Sequence, residues 1–382
     1  MGDHGGANIK KYFGEIKDPR SNINQKHPLI SIIALTICAV ISGANDWVGV
    51  ELYGEAKEEW LSGFLDLPNG IPSHDTIGRV FRLLDPEQFK GCFVKWVTTI
   101  EELTDQEVVG VDGKQLRRSH DKSLGKGAIH MVSAWASANG IVLGQEKVDE
   151  KSNEITAIPK LLEVLTIKGC IVTIDAMGCQ TEIAEKIVEK EADYVLALKK
   201  NQGNLYDDVE LLFDELVESD FTSNEYGYHK TVDKGHGRTE IREAWTIACA
   251  GITPSLRGAE RWKNLRSVIK VQSKRYIGGQ LSSVKTRYFI ASLPSDAELA
   301  LHAIRYHWRV ENSLHWVLDI SFREDESRVR SDHAPHNFAI LRHIARNALS
   351  RDSSSDAGTF NKRLRAGWDD SVLEDILSHS FT

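Results

Sequence analysis

Two short apolar runs, Val108-Val109-Gly110-Val111-Asp112 and Cys170-Ile171-Val172-Thr173-Ile174-Asp175, constrain this chain more than any other feature. Each is rich in β-branched residues, is too short for a helix and stops at an aspartate, so both read as buried strands. An ionised carboxylate at the end of such a strand is costly to desolvate unless positive charge compensates it. A third acid, Glu311, falls within the helical pattern Ser295–Leu318. At about 100° per residue, Ala297, Ala300, Ile304, Trp308, Glu311, His315 and Leu318 share an arc of roughly 80° that should face a sheet. A glutamate in such a stripe is either paired to a buried arginine or a metal ligand. With two strand-end aspartates beside it in the element order, the set suggests one site for a divalent cation, as in phosphoryl-transfer enzymes.

The 382 residues suffice for two or three domains with a real core. A net charge of -8 argues against a general polyanion binder but leaves room for local basic faces. Five scattered cysteines without a CxxC pair argue against a zinc motif or disulfide framework and suit a reducing compartment. The most apolar stretch, Pro28 to Gly43, is shorter than the roughly 18 to 20 residues that span a bilayer, and reads as a buried core helix. The N-terminus shows no signal-peptide pattern.

The chain divides into textures. Residues 1–104 are mostly helical, with runs from Pro28, over Trp47–Trp60, Thr76–Leu84 and Pro86–Leu103, and a turn at Ile71–Asp75 where Ser73 or Asp75 caps the next helix. Such short helices form either a helix-turn-helix DNA reader or a plain bundle. In 105–204 the order is β-β-β-α-β-α-β. It comprises a strand to Asp112, a hairpin whose Asn139-Gly140 favours a type I′ turn, and a helix from Ser152 or Asn153. The strand to Asp175, a helix at Thr181–Lys190 and a strand at Tyr194–Leu198 complete it. That order predicts an α/β fold with a mixed sheet. Residues 205–292 read as a helix followed by a β-rich basic insertion, with strands at Thr239–Ile247, Arg266–Lys274 and Thr286–Ser292. Residues 293–350 carry the last helices of the core, and 351–382 read as a loosely attached tail.

Acids on the first strand, the fourth strand and a late helix, in this element order, resemble the ribonuclease H-like fold of DDE transposases. Gly110-Val-Asp112-Gly-Lys114, Asp175-Ala-Met-Gly-Cys-Gln180 and His307-Trp-Arg-Val-Glu311-Asn-Ser-Leu-His315-Trp316 are similar to the H-repeat-associated insertion-sequence (ISAs-type) transposases. Lys151-Ser-Asn-Glu154, Leu198-Lys-Lys-Asn-Gln202, His236-Gly-Arg-Thr-Glu240 and Ser321-Phe-Arg-Glu-Asp325 extend the likeness. Pro72-Ser-His-Asp-Thr76 resembles the associated N-terminal domain, so that the resemblance covers about residues 10 to 350.

The resemblance implies that Asp112, Asp175 and Glu311 are the catalytic and metal-binding acids, with two Mg²⁺ ions and Mn²⁺ as a substitute. It implies cleavage of an insertion sequence from double-stranded DNA and strand transfer into a target. It also implies no membrane partner, a homodimer on DNA, and a cytoplasmic, nucleoid-associated bacterial setting. A nuclease without strand transfer and an inactive DNA-binding remnant are the alternatives. Related enzymes carry a Tyr-Arg-Glu-Lys pattern around the glutamate. Here His307 and Leu318 fall where its arginine and lysine would, leaving Lys114, Arg309 and His315 as candidates to clamp phosphates, and Asp319 as a rival third acid.

A DNA path needs local positive charge. Residues 257–287 hold nine Lys and Arg against one acid, Glu260, with Trp262, Tyr276 and Tyr288 interleaved. Arg266, Lys270 and Lys274 are candidate phosphate contacts there, and the aromatics candidate wedges. Lys114, Arg117, Arg118, Lys199, Lys200, Arg238 and Arg309 complete the candidate DNA-binding set. In His236-Gly237-Arg238 a turn with a phosphate-binding arginine is favoured over a metal site.

Overall fold

The computed structural model describes residues 8–21, 25–120, 127–149, 152–218, 225–235 and 237–381. The chain forms two compact units. One comprises residues 1–102, 113–153 and 311–382, the other 103–112 and 154–310. Helices and strands combine in a mixed α/β arrangement, with nine strands among the described residues. These are β1 (Val108–Gln115), β2 (His130–Ala136), β3 (Ile141–Lys147), β4 (Ile171–Ile174), β5 (Asp193–Leu198), β6 (Tyr226–Gly235), β7 (Arg238–Ala248), β8 (Ser267–Ile277) and β9 (Gln280–Ala291).

In the first unit the Ala334–Arg351 helix is the organising element, buried along nearly its whole length. Around it pack the helices Leu29–Ile41, His74–Leu83, Pro86–Ile100, Thr359–Trp368 and Asp370–Ser380, together with β3. The apolar stretch after Pro28 is indeed a core helix, with almost every residue buried. Ser73 caps the His74–Leu83 helix, its Oγ accepting from the Thr76 amide, and Pro86 sits in the first turn of its own helix. Buried polar groups close the helix ends. Arg363 donates to the carbonyls of Val40, Ala44 and Ser321, and Asn337 donates to those of Phe81 and Leu84. The amide of Asn347 accepts from the Val142 N–H at 2.8 Å and donates to the Val142 carbonyl at 2.9 Å, pairing β3 as a further strand would.

The β2–β3 hairpin is present, but its turn is not type I′. Only Gly140 has a positive φ, of 68°, whereas that turn needs two left-handed residues. A looser Ser137–Gly140 loop makes the reversal instead. The last residues are not a loose tail. Arg363 and Leu373 are buried, and the Trp96 indole donates to the Ser380 carbonyl at 2.7 Å.

In the second unit the strand order is β1-β4-β5-β9-β8-β7-β6. β1, β4 and β5 are parallel, whereas β9, β8, β7 and β6 continue antiparallel from β5. The helices Glu154–Val164 and Thr181–Glu189 make the parallel crossovers. The Ala297–Arg309 helix buries Ala297, Ala300, Leu301 and Ile304 in one apolar cluster with Val108, Ile171, Val195, Ile269 and Phe289. The turn at residues 278–279 falls where expected, and Gly235 pairs with Arg238 at the end of β6 and the start of β7; the expected His236 turn position lies outside the described residues. β6 was not foreseen, because its alternate side chains are only partly covered and its sequence shows no apolar face.

Candidate catalytic carboxylates and basic residues

Gly110 pairs with Thr173 and Val111 with Ile174 in the parallel register of β1 and β4. Asp112 and Asp175 are the next residues on each, so the two carboxylates stand on neighbouring strands at the same level. Neighbouring strands are about 4.8 Å apart. Both aspartates are half-buried. The Asp175 Oδ1 accepts from the Met177 amide at 2.9 Å and from Gly178 at 3.4 Å, which fixes its rotamer over the following turn. The N-cap position of the next helix is held by Gln180, without a side-chain cap bond, so the aspartate does not serve as its N-cap.

Residues alternate faces along a strand, so Gly110 and Thr173 lie on the same face as the aspartates. That face meets the last turn of the Ala297–Arg309 helix. A Cβ on Gly110 would collide with Val310 Cγ2 and lie 3.8 Å from His307 Cα. The Thr173 hydroxyl is 3.1 Å from His307 Nδ1. Burial pushes the His307 pKa down, outweighing the opposing pull of Asp175, and so favours a neutral imidazole. The sequence offered His307 only as a mismatch to an arginine; its place against the aspartate face is a tertiary fact.

The helix that carries Glu311 is not continuous. A π-helical turn spans Val310–His315 between the Ala297–Arg309 and Trp316–Ser321 helices. It breaks the 100° progression on which the apolar arc was drawn. Leu318 of the arc is buried as expected, but Val310 and Leu314, outside it, are buried too, and Glu311 is exposed. Neither a core glutamate nor a buried Glu311–Arg pair is therefore present. π turns of this kind recur at functional positions.

Asp319, the rival acid, is already engaged. Lys114 Nζ pairs with Asp319 and, at 2.9 Å, with Glu324, which is buried against Arg342 at 3.3 Å. Burial alone would raise the Glu324 pKa, but the Lys114 and Arg342 charges hold it below the usual range. Lys114, a candidate phosphate clamp, is thus the cation of an internal network. Among the described residues no group of three or more His, Cys, Asp or Glu is gathered to hold a metal ion.

The other basic candidates divide by what they already touch. Arg117 is exposed with its guanidinium 3.2 Å from Asp325, and Arg118 is exposed. Lys199 and Lys200 are exposed just past β5, Arg238 at the start of β7, and Arg266 before β8. Arg309 is exposed and stacks over Tyr306, 4.0 Å from the ring centre. Four of the nine cations in the run that looked nearly unopposed in sequence are paired with acids from other elements. Lys270 lies 3.9 Å from Asp214, Lys274 2.8 Å from Glu243, Arg275 2.7 Å from Glu240 and Arg257 2.6 Å from Asp208. Trp262 and Tyr288 are buried, the latter packed on Phe213 and Tyr206, so they are core aromatics and not wedges. Tyr276 is partly exposed.

Two family models match this chain. The model "Transposase DDE domain" matches residues 79–348, and "DDE_Tnp_1-associated" matches residues 10–97. This chain belongs to the DDE transposase family. The transposase is 41% identical to "Putative transposase YncI" of Escherichia coli O157:H7 over 96% of its own length and 93% of that protein. It is 40% identical to "H repeat-associated putative transposase YhhI" of Escherichia coli strain K12, over 97% and 98% respectively. A cryo-EM structure of the piggyBac transposase synaptic complex with hairpin DNA aligns at a TM-score of 0.41 and 10% identity, covering 98% of the transposase and 77% of that chain. That likeness is too slight to carry an argument. Among the described residues no helix is long and apolar enough to cross a membrane.

Proposed function

We propose that this DDE transposase cuts the ends of an insertion sequence in double-stranded DNA and joins them to a target, using divalent cations held by Asp112, Asp175 and Glu311. The observation that carries the reading is the placement of Asp112 and Asp175 side by side beyond paired Val111 and Ile174. Two carboxylates on adjacent strands offer the hard oxygen donors that Mg²⁺ or Mn²⁺ prefers. One Asp175 oxygen is held by backbone amides, which orients the other. The core is read as ribonuclease H-like, with β6 to β9 as the β-rich insertion before the last catalytic helix.

When bound, the cations supply positive charge that stabilises the attacking and departing oxygens of an in-line displacement. Asp112 and Asp175, on adjacent strands, would hold the cations, with Glu311 as the third carboxylate. Water attacks the phosphorus at the element's end and the 3′ oxygen departs. The freed 3′-hydroxyl then attacks a target phosphodiester and displaces the target strand's 3′ oxygen, which takes up a proton, so one phosphodiester bond replaces another and no bond to a protein side chain forms. Exposed Arg117, Arg118, Lys199, Lys200, Arg238, Arg266 and Arg309 are the basic groups placed for phosphates, and Lys270 and Lys274 could join them only by leaving Asp214 and Glu243. The protein is read as acting on DNA as a homodimer.

The test is cleavage of DNA carrying the element's ends, with Mg²⁺. Asp112→Asn and Asp175→Asn should each lower nicking by orders of magnitude while DNA binding persists. Retained nicking in either folded variant would refute the assignment. Joined products on a gel separate a transposase from a nuclease.

A further inference from the structure

We propose that an arginine-lined groove in the first unit binds the phosphate backbone of duplex DNA. The inference rests on the reading above only in taking DNA as the partner. The groove is a cleft of about 730 Å³, walled by residues 45–48, the His74–Leu83 helix and the segment 323–334. Arg79 and Arg82 enter it from the helix, and Arg323, Arg328 and Arg330 from the facing segment. A second cleft of about 330 Å³ shares Arg82 and Arg330 and adds Lys147. The two clefts meet at Arg82 and Arg330, the second also carrying Asp332, and their basic groups come from parts of the sequence about 250 residues apart, as Arg79 and Arg328 show.

Three features favour a phosphodiester backbone over a compact anion. First, five arginines face three carboxylates in the larger cleft, in a chain whose net charge is -8. Second, two of those carboxylates are engaged: Asp46 accepts from the Gly49 amide and Glu326 pairs with Arg323. Third, Arg79 and Arg328 are exposed and make no ion pair with the described residues, while Arg82 has only a 3.7 Å approach to Asp332. Trp47 forms a firm floor, stacked on Phe81 at 5.1 Å and braced edge-on by Phe338. Arginines on both walls of an open track match a chain of phosphates, each taking a charge-assisted contact.

Binding of the full-length protein to a labelled mixed-sequence duplex, followed by fluorescence anisotropy over a salt series, tests this. In Arg79→Ala/Arg328→Ala the slope of log affinity against log salt should drop by about one per lost arginine. Arg79→Lys/Arg328→Lys should keep the wild-type slope, since charge is retained. An unchanged slope and affinity in the alanine pair would overturn the groove. Asp112→Asn measured alongside separates the two claims. If it still cleaves, the catalytic assignment fails while the groove is judged by the slope alone. If wild-type protein binds no duplex, both fall.

Discussion

At Asp319 the carboxylate is already spent on Lys114, whereas Glu311 is exposed on a π-helical turn. An acid held by an internal ammonium is poorly placed to exchange that partner for a cation, since breaking a partly buried pair strands a charge. Glu311→Gln should therefore abolish Mg²⁺-dependent cleavage and Asp319→Asn should leave most of it, as judged by initial nicking rates in folded, DNA-binding variants. The reverse ranking would transfer the role to Asp319. The same residues mark how far sequence reaches. Motif and spacing singled out Glu311, yet the argument from a buried stripe was wrong, because a π turn is set by how a helix packs and leaves no local signature.

Among the elements, β1 and the helix ending at Arg309 depend on one glycine. Gly110 has no side chain where Val310 Cγ2 approaches, on the face that carries Asp112 and Asp175. Gly110→Val should overpack that contact and cost about 1–3 kcal/mol, read from denaturant midpoints. It should also depress cleavage beyond what the stability loss explains, because the strand carrying Asp112 must shift. An unaltered midpoint would mean that the helix yields freely. The strand runs were legible because buried parallel strands leave continuous apolar runs. β6 was not, because an element whose faces stay wet carries no pattern to read.

Across the whole molecule, stability should depend on acid pH through buried histidines of the Ala334–Arg351 helix. Burial lowers the His343 pKa to about 4 and that of His336 to about 3, from 6.5. Both bind a proton more readily unfolded than folded, so their contribution is full above about 6.5 and is lost as pH falls toward the folded values. Thermal melts from pH 7 to 4 should show a falling midpoint, with a shallower fall in His343→Phe. Parallel curves for the variant and the wild type would exclude His343.

Residue order alone determined the buried strands, most of the helices, the strand-end aspartates and the likeness to DDE transposases, because periodicity and motif are local in the chain, but not β6, the π turn or the packed C-terminal helices. Tertiary structure decided which charges meet. Asp214, Glu243, Glu240 and Asp208 pair four of the nine cations of a run that looked almost unopposed, and Arg79 and Arg82 join Arg323, Arg328 and Arg330 around one cleft. Electrostatic interaction depends on distance through space, and a linear sequence fixes that distance only after the chain has folded.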